Sequence, residues 1–515
     1  EKFYTPVSKI SFKRALYKKY NCTNSDIFNL SYKYLSNIHF MHNLFSGVYM
    51  ALYEEISSND NFELPDCWKT NILTLTYKGG NPNDISRFRP IIKLPLFVRI
   101  YEIFLTDCIK PVILKENRID SSVQTAHVSG LSGVYQHLID VNLFMILHKT
   151  KKSKITTFFF DIKNAFGSVI YKKLVNILKV RGYPKHFYQY VDKYYNNLYY
   201  IYNGDVPRKW NNGLLQGSAL SNLLFLIYLD HVIKEVIVRW KDMGFIPNDF
   251  DITQFIKAFV DDMVIHFMNG WKIQEMLNIM EFVFNDYGFE FNFNKTYYYD
   301  YENYENYENG INYTINCVNI SKVPDTFHYL GQPLVVSENI VPYMFSKIKS
   351  ILSRIDSFDI TNSVKLNLYK TIVYYRINRF YEIFTHMLGP NIHSRISIVE
   401  MYYLKKWGFN GVIKGTNRDL DYFRDRVQIL KNCQFNKLKY SKMEYLIENK
   451  YKNFTYFKDP KWGYTYGDVM SNYFSFKFNA PRQDIIDGLE KNKSIIVGLT
   501  KKNANYSDNF IDEFQ

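Results

Sequence analysis

FFFDIKNAF (158–166) closes three phenylalanines with Asp161 and places another aromatic, Phe166, five residues on. A second stretch, IKAFVDDMVIHF (256–267), sets Asp261 and Asp262 between two apolar segments. Short apolar runs rich in β-branched and aromatic residues read as buried strands. KITTFFFDI (154–162) is one, and TQFIKAF and MVIHF are the arms of a hairpin around Val260-Asp261-Asp262. Between them lie an amphipathic helix, YKKLVNILKVRG, closed by Gly182, and a long, mostly buried helix, ALSNLLFLIYLDHVIKEVI (219–237). Strand, helix, helix, hairpin is the order that lays the first strand beside the hairpin in one antiparallel sheet. Asp161 at its strand end would then face Asp261 and Asp262 at the hairpin tip. Taken singly, each Asp fits an ordinary strand-end turn. As a pair they fit less well, because a plain two-residue hairpin takes Asn-Gly or Asp-Gly.

Three carboxylates at one spot repel one another and titrate upward unless a counter-ion neutralises them. Two Mg²⁺ ions, about 3.5–4 Å apart in sites of this kind, would do so, with Mn²⁺ as a substitute. Oxygen-only ligands suit such hard cations. One ion would lower the pKa of an attacking hydroxyl while the other holds a triphosphate and its leaving group.

The rest of the chain is mixed. Residues 1–60 read as helical, and NILTLTY (71–77) as a strand followed by the turn-rich YKGGNPND. From IIKLPLFVRIYEIFLTDCIKPVI onward the pattern is helical, and WKIQEMLNIMEFVFNDYG is another helix, ending at Gly288. YENYENYEN (301–309) is a low-complexity loop. After FHYLGQPL (327–334), helices YMFSKIKSILSRI and VKLNLYKTIVYYRINRFYEIF carry basic residues beside an apolar stripe.

Over 515 residues the formal charge is +14, which points to a polyanionic partner ahead of the alternative that lysines keep an aromatic-rich surface soluble. Cys22, Cys67, Cys108, Cys317 and Cys433 are scattered without a CxxC pair, so neither a zinc site nor a disulfide framework is read, and a reducing intracellular location is expected. No apolar run reaches the length of a membrane span; LSNLLFLIYLD is short and broken by Asp230. The chain starts without Met, and origin in a longer polypeptide is expected.

With these residues in view, the chain resembles reverse transcriptases, most closely those of non-LTR retrotransposons, which are related to the group II intron enzymes. FFFDIKNAF is similar to the first metal-binding motif of that family, and AFVDD to its F/Y-x-D-D motif. GLLQGSALSNLLFLIYLD resembles the Q-G-x-x-x-S motif, except that Asn222 stands where Pro is usual. DCWKTNILTLTYKGGNPNDISRFRPIIKLPLFVRIYE is similar to the fingers segment, GFEFNFNKT to the G-x-x-x-N-x-x-K-T segment, and FHYLGQPL to the Y-L-G turn before the thumb. SSVQTAHVSGLSGVYQHL occupies the place of a basic template-binding stretch and lacks its Arg.

The resemblance implies an α+β right-hand polymerase: an N-terminal helical extension (1–60), fingers (61–153), a palm of antiparallel sheet and helices (154–335) and a helical thumb (336–410). Residues 411–515 carry no assignable motif. It implies that Asp161, Asp261 and Asp262 bind the metals, with Ile162 lending a carbonyl. Phe166 would crowd a ribose 2′-OH, although on pattern alone a core position fits as well. Lys78 and Arg89 would hold the triphosphate, Gln216 and Gly217 would line the nucleotide pocket, and Lys295 would be the acid for pyrophosphate departure. Tyr329, Leu330 and Gly331 would form a primer-grip turn, or simply a tight hairpin. Partners would be an RNA template, a DNA primer or target DNA, and dNTPs, with a nuclease elsewhere in a longer polypeptide and a nuclear location in a eukaryote. A silent RNA-binding derivative and a group II maturase-like protein are the alternatives.

Overall fold

In the computed structural model, the described residues are essentially 38–126, parts of 134–145, 155–300, 312–333, 340–374 and 399–408. The YENYENYEN stretch, residues 1–37 and 409–515, and the second basic stretch from 375 onward lie outside them.

Helix α1 (Ile38–Ser58) precedes a hairpin of β1 (Thr70–Tyr77) and β2 (Phe88–Lys93), then α2 (Leu96–Lys115). Strand β3 (Ile155–Lys163) leads into α3 (Tyr171–Val180) and α4 (Lys185–Asn196), the short strands β4 (Tyr199–Ile201) and β5 (Arg208–Lys209), and α5 (Ser221–Asp242). The hairpin of β6 (Ile256–Phe259) and β7 (Asp262–Met268) follows, then α6 (Ile273–Asp286), β8 (Glu290–Phe291) and β9 (Tyr297–Asp300). Two-residue strands come next: β10 (Thr314–Ile315), β11 (Val318–Asn319), β12 (Ser321–Lys322), β13 (His328–Tyr329) and β14 (Gln332–Pro333). Helices α7 (Ile340–Ser357) and α8 (Asn362–Leu368) follow.

Strand β3 is central to a sheet of order β12-β9-β3-β7-β6, with β8 pairing its far end. A second sheet, β2-β1-β4-β5, is separate. The phenylalanine run needs no polar alternation because both faces of β3 are covered. Phe158 and Phe160 enter the main core with Met263, Ile265, Phe267 and α5, where Trp240 meets Phe267 edge-on. Phe159, one residue out of phase, joins a second core with Val264, Tyr329 and Met344, Ile348 and Leu352 of α7. Asp161 and Asp262 share the parity of Phe159 and Val264, so they lie on the second face, past the end of its apolar cover.

The structure departs from the sequence reading at IIK and at TQF (253–255), a 3₁₀ turn before β6 and not part of the hairpin arm, and it adds α4, which the sequence reading leaves unassigned. IIK belongs to β2 rather than to a helix; Pro95 separates it from α2. Its pairing with β1 supplies a partner that an apolar run cannot reveal. Helix α4 buries Phe187, Tyr190, Val191, Tyr194 and Tyr195, the i, i+3, i+4, i+7, i+8 spacing of a core-facing helix. Because that stripe is built of tyrosines, it reads as polar in the sequence.

Candidate active site

The antiparallel pairing of β3 and β7 ends with Asp161 opposite Asp262. Phe259 also pairs with Asp262, so Val260 and Asp261 are the two central residues of a tight turn. Val260 has φ of +59°, whereas Asp261 is not in the left-handed region. A positive first residue followed by a negative one calls for glycine. A β-branched residue there costs about 1–2 kcal/mol, which the surroundings must offset.

Asp161 is held from two sides. Its Oδ2 accepts from Asn292 Nδ2 at 2.9 Å, and its backbone oxygen accepts from the Asn292 amide at 2.8 Å. Lys295 Nζ lies 3.4 Å from Asp161 Oδ1, on an exposed side chain. Asn292 and Lys295 share one short turn, in which Lys295 N–H donates to Asn292 O at 2.9 Å. The motif GFEFNFNKT marks Lys295 as a candidate, while nothing in its spacing marks Asn292, which binds the acid.

Burial first, and then the charges of Asp261 and Asp161, push the Asp262 carboxyl up to about 7. Asp261 is raised as well, chiefly by burial, with Asp161 adding to it and Lys295 and Arg89 opposing it. Burial, and after it the neighbouring acids, thus disfavours the charged forms of Asp261 and Asp262. That is the electrostatic setting that a divalent cation relieves, and the donor set is all oxygen. Among the described residues, no group of three or more His, Cys, Asp or Glu side chains is placed to hold a metal ion. Asp161 faces Asn292 and Lys295 instead.

Ile162 is buried and pairs with Phe291 in β8. Phe166 follows Asn164, which is left-handed at φ +48°, and its ring stacks on Phe225 of α5 at 4.7 Å and 15°. Phe166 O accepts from Leu214 N at 2.6 Å. Gly213 passes so close to Gly167 that any Cβ on it would overlap the Gly167 backbone. Gln216 and Gly217 abut β2: Gln216 O accepts from Ile92 N at 2.7 Å, and a Cβ on Gly217 (φ +133°) would collide with Ile92 O. This loop leads into α5 through Glu102, a fully buried carboxylate of α2. Glu102 Oε2 accepts from Ser218 Oγ at 2.7 Å and from Ala219 N at 3.1 Å. Burial pushes Glu102 up to about 7 against these hydrogen bonds.

Arg89 is exposed on β2 opposite Thr76, and its charge reaches Asp261. Lys78 is exposed just past β1 at the same end of that hairpin, with its amide bonded to Arg87 O at 2.7 Å. Leu330 (φ +48°) and Gly331 (φ +74°) are the central residues of the β13–β14 turn. Tyr329 is buried beneath it. Its hydroxyl lies 2.7 Å from His137 Nε2 and reaches Asp262 O at 3.5 Å. His137, driven down to about 3 by burial and then by the Lys257 charge, stays neutral and also meets Thr125 Oγ1 at 3.1 Å. Lys406, near the end of the described residues, is engaged by Asp356 at 2.6 Å.

Asp262 thus lies opposite Asp161 at the end of an antiparallel strand pair, with Asp261 in the adjoining turn. Residues 78–334 match the family described as reverse transcriptase (RNA-dependent DNA polymerase), a stretch that contains every acid and base named above as part of the expected chemistry. The chain is an RNA-directed DNA polymerase, and its substrates are a nucleic-acid template and primer and dNTPs. No curated protein matches it. Among the described residues, no helix is long and apolar enough to cross a membrane.

Proposed function

We propose that the chain copies RNA into cDNA by nucleotidyl transfer assisted by two Mg²⁺ ions, as the enzyme of a non-LTR retroelement using target-primed synthesis. The observation that carries the catalytic part is the in-register pairing of Asp161 with Asp262, with Asp261 at the adjoining turn. Reverse transcriptases use divalent metals, and Asp161, Asp261, Asp262 and the Ile162 carbonyl would hold them here. When bound, the ions neutralise the acid cluster and stabilise charge on the reacting phosphate oxygens.

The remaining work falls to side chains of this chain. Asn292 fixes the rotamer of Asp161. Arg89 and Lys78 attract and orient the triphosphate. Gln216 and Gly217 line the pocket, held by Glu102 and Ile92. Phe166, braced by Phe225, meets the sugar of the incoming nucleotide and rejects a 2′-OH. Lys295 carries a proton at Nζ that it can give to departing pyrophosphate. The Tyr329-Leu330-Gly331 turn borders the primer end.

On this reading residues 61–153 are fingers, 154–335 palm and 336–410 thumb, in a right-hand arrangement, and 1–60 are an extension. The ordered motifs and the β1–β2 hairpin bearing Lys78 and Arg89 support the non-LTR assignment. A nuclease in the same or a partner polypeptide would supply the primer, inside the cell and in the nucleus of a eukaryotic host. Extension of a DNA primer on an RNA template with Mg²⁺ and dNTPs tests the proposal. Tight, salt-dependent duplex binding with no extension by the wild type would refute it, leaving a silent RNA-binding protein. Selective binding of a structured intron RNA would instead favour the maturase reading.

A further inference from the structure

Residues 122–126 occupy the place of a template-binding stretch, yet they are bound to the acid hairpin. Ala258 of β6 donates to Val123 O at 2.7 Å, and its oxygen accepts from Thr125 N at 3.1 Å, so this segment runs as an outer, parallel neighbour of β6. Lys257 Nζ adds a bond to Ser122 O at 2.6 Å. Backbone pairing stops at Ala258, and there a side chain takes over. The Gln124 carboxamide, 2% exposed, accepts from Val260 N at 3.0 Å through Oε1 and donates from Nε2 to Val260 O at 3.2 Å. The same Oε1 accepts from Ala126 N at 3.1 Å. Both backbone groups of the one left-handed β-branched residue in the turn are thus satisfied by one buried amide.

We infer that Gln124 is a positioning residue for the acid hairpin: its carboxamide holds Val260 at positive φ and so keeps Asp261 and Asp262 facing Asp161. The inference rests on the reading that these aspartates perform the chemistry. Gln is suited to the task because it presents one acceptor and one donor at the spacing of a backbone partner. Met matches its length without either group, and Glu keeps the acceptor but cannot donate.

The test is a double-mutant cycle in the full chain, combining Gln124→Met with Val260→Gly, since glycine adopts positive φ without help. Primer extension is measured over dNTP and Mg²⁺ concentration. Hydrogen exchange is followed in the peptide covering 256–265. Gln124→Met is expected to lower kcat by about thirty-fold, to change the dNTP KM by less than about three-fold, and to raise the half-saturating Mg²⁺. The hairpin peptide should exchange faster while thermal unfolding stays cooperative. When Val260→Gly is already present, the same Gln124→Met change should cost less than about three-fold relative to Val260→Gly alone. Gln124→Glu should fall between wild type and Gln124→Met. An equal penalty in both backgrounds, unaltered extension and exchange, or global unfolding of both Gln124 variants would overturn the inference. Failure of the underlying reading looks different: the wild type fails to extend, or Asp261→Asn still extends. Exchange then still reports whether Gln124 holds the hairpin.

Discussion

Two tight turns on neighbouring hairpins, Val260-Asp261 and Leu330-Gly331, hold positive φ in different ways. The second is locally encoded in part, because Gly331 tolerates its conformation at no steric cost. The first has no glycine, and Val260 is secured by Gln124, 136 residues earlier in the chain. The Gln216-Gly217 loop combines both devices: a glycine that fits against Ile92 O and a remote buried acid, Glu102, that binds the next residues. Of the turns that carry expected site residues, those of the acids and of Gln216 are held from a distance, and that of Tyr329 relies in part on its own glycine.

Four substitutions test that difference. The largest effect belongs to the acid turn itself. Asp261→Asn should lower primer extension by at least about a thousand-fold, roughly 4 kcal/mol of barrier. Duplex affinity, dominated by Lys and Arg contacts to phosphate, should stay within about two-fold. Filter binding alongside a gel extension assay reads both.

Next is Glu102. Its carboxyl binds a proton more tightly folded than unfolded, so stability is greatest below the unfolded value near 4.5 and falls as pH rises toward about 7. The span corresponds to a loss on the order of 3 kcal/mol. Glu102→Gln should flatten that slope in urea unfolding series between pH 5 and 8; an unchanged slope would show that Glu102 binds its proton no more tightly folded than unfolded.

Asn292→Ala comes third. Freed from its amide partner, Asp161 loses a fixed rotamer. kcat should drop about thirty-fold, near 2 kcal/mol, with dNTP KM moving much less. A rise in KM alone would place Asn292 in nucleotide binding instead. The smallest effect is Gly331→Ala, which puts a Cβ at φ +74° and should cost about 1 kcal/mol, seen as a lower urea midpoint.

Much of this architecture was readable in the chain. Asp161 and the Asp261-Asp262 pair announce their meeting because each ends an apolar strand, and apolar strands have few places to go. The amphipathic α3, its Gly182 stop and the long α5 follow from periodicity and termini. The strand character of IIK escaped because its apolar pattern runs on past Pro95, and α4 escaped because its buried face is tyrosine. Gln124, Glu102 and His137 could not be found from spacing at all. Each is a polar residue whose burial exists only after distant elements pack, and nothing in the neighbouring residues signals it.

One consequence follows from the odd–even division of β3. Phe159 and Asp161 lie on the acid side, whereas Phe158, Phe160 and Ile162 face the main core. A single codon gained or lost between Ile155 and Asp161 would therefore exchange the two sides, driving a carboxylate into the phenylalanine layer and swinging an aromatic ring out beside Asp262. Gene variation in this strand can swap letters or move by pairs, but it cannot shift by one.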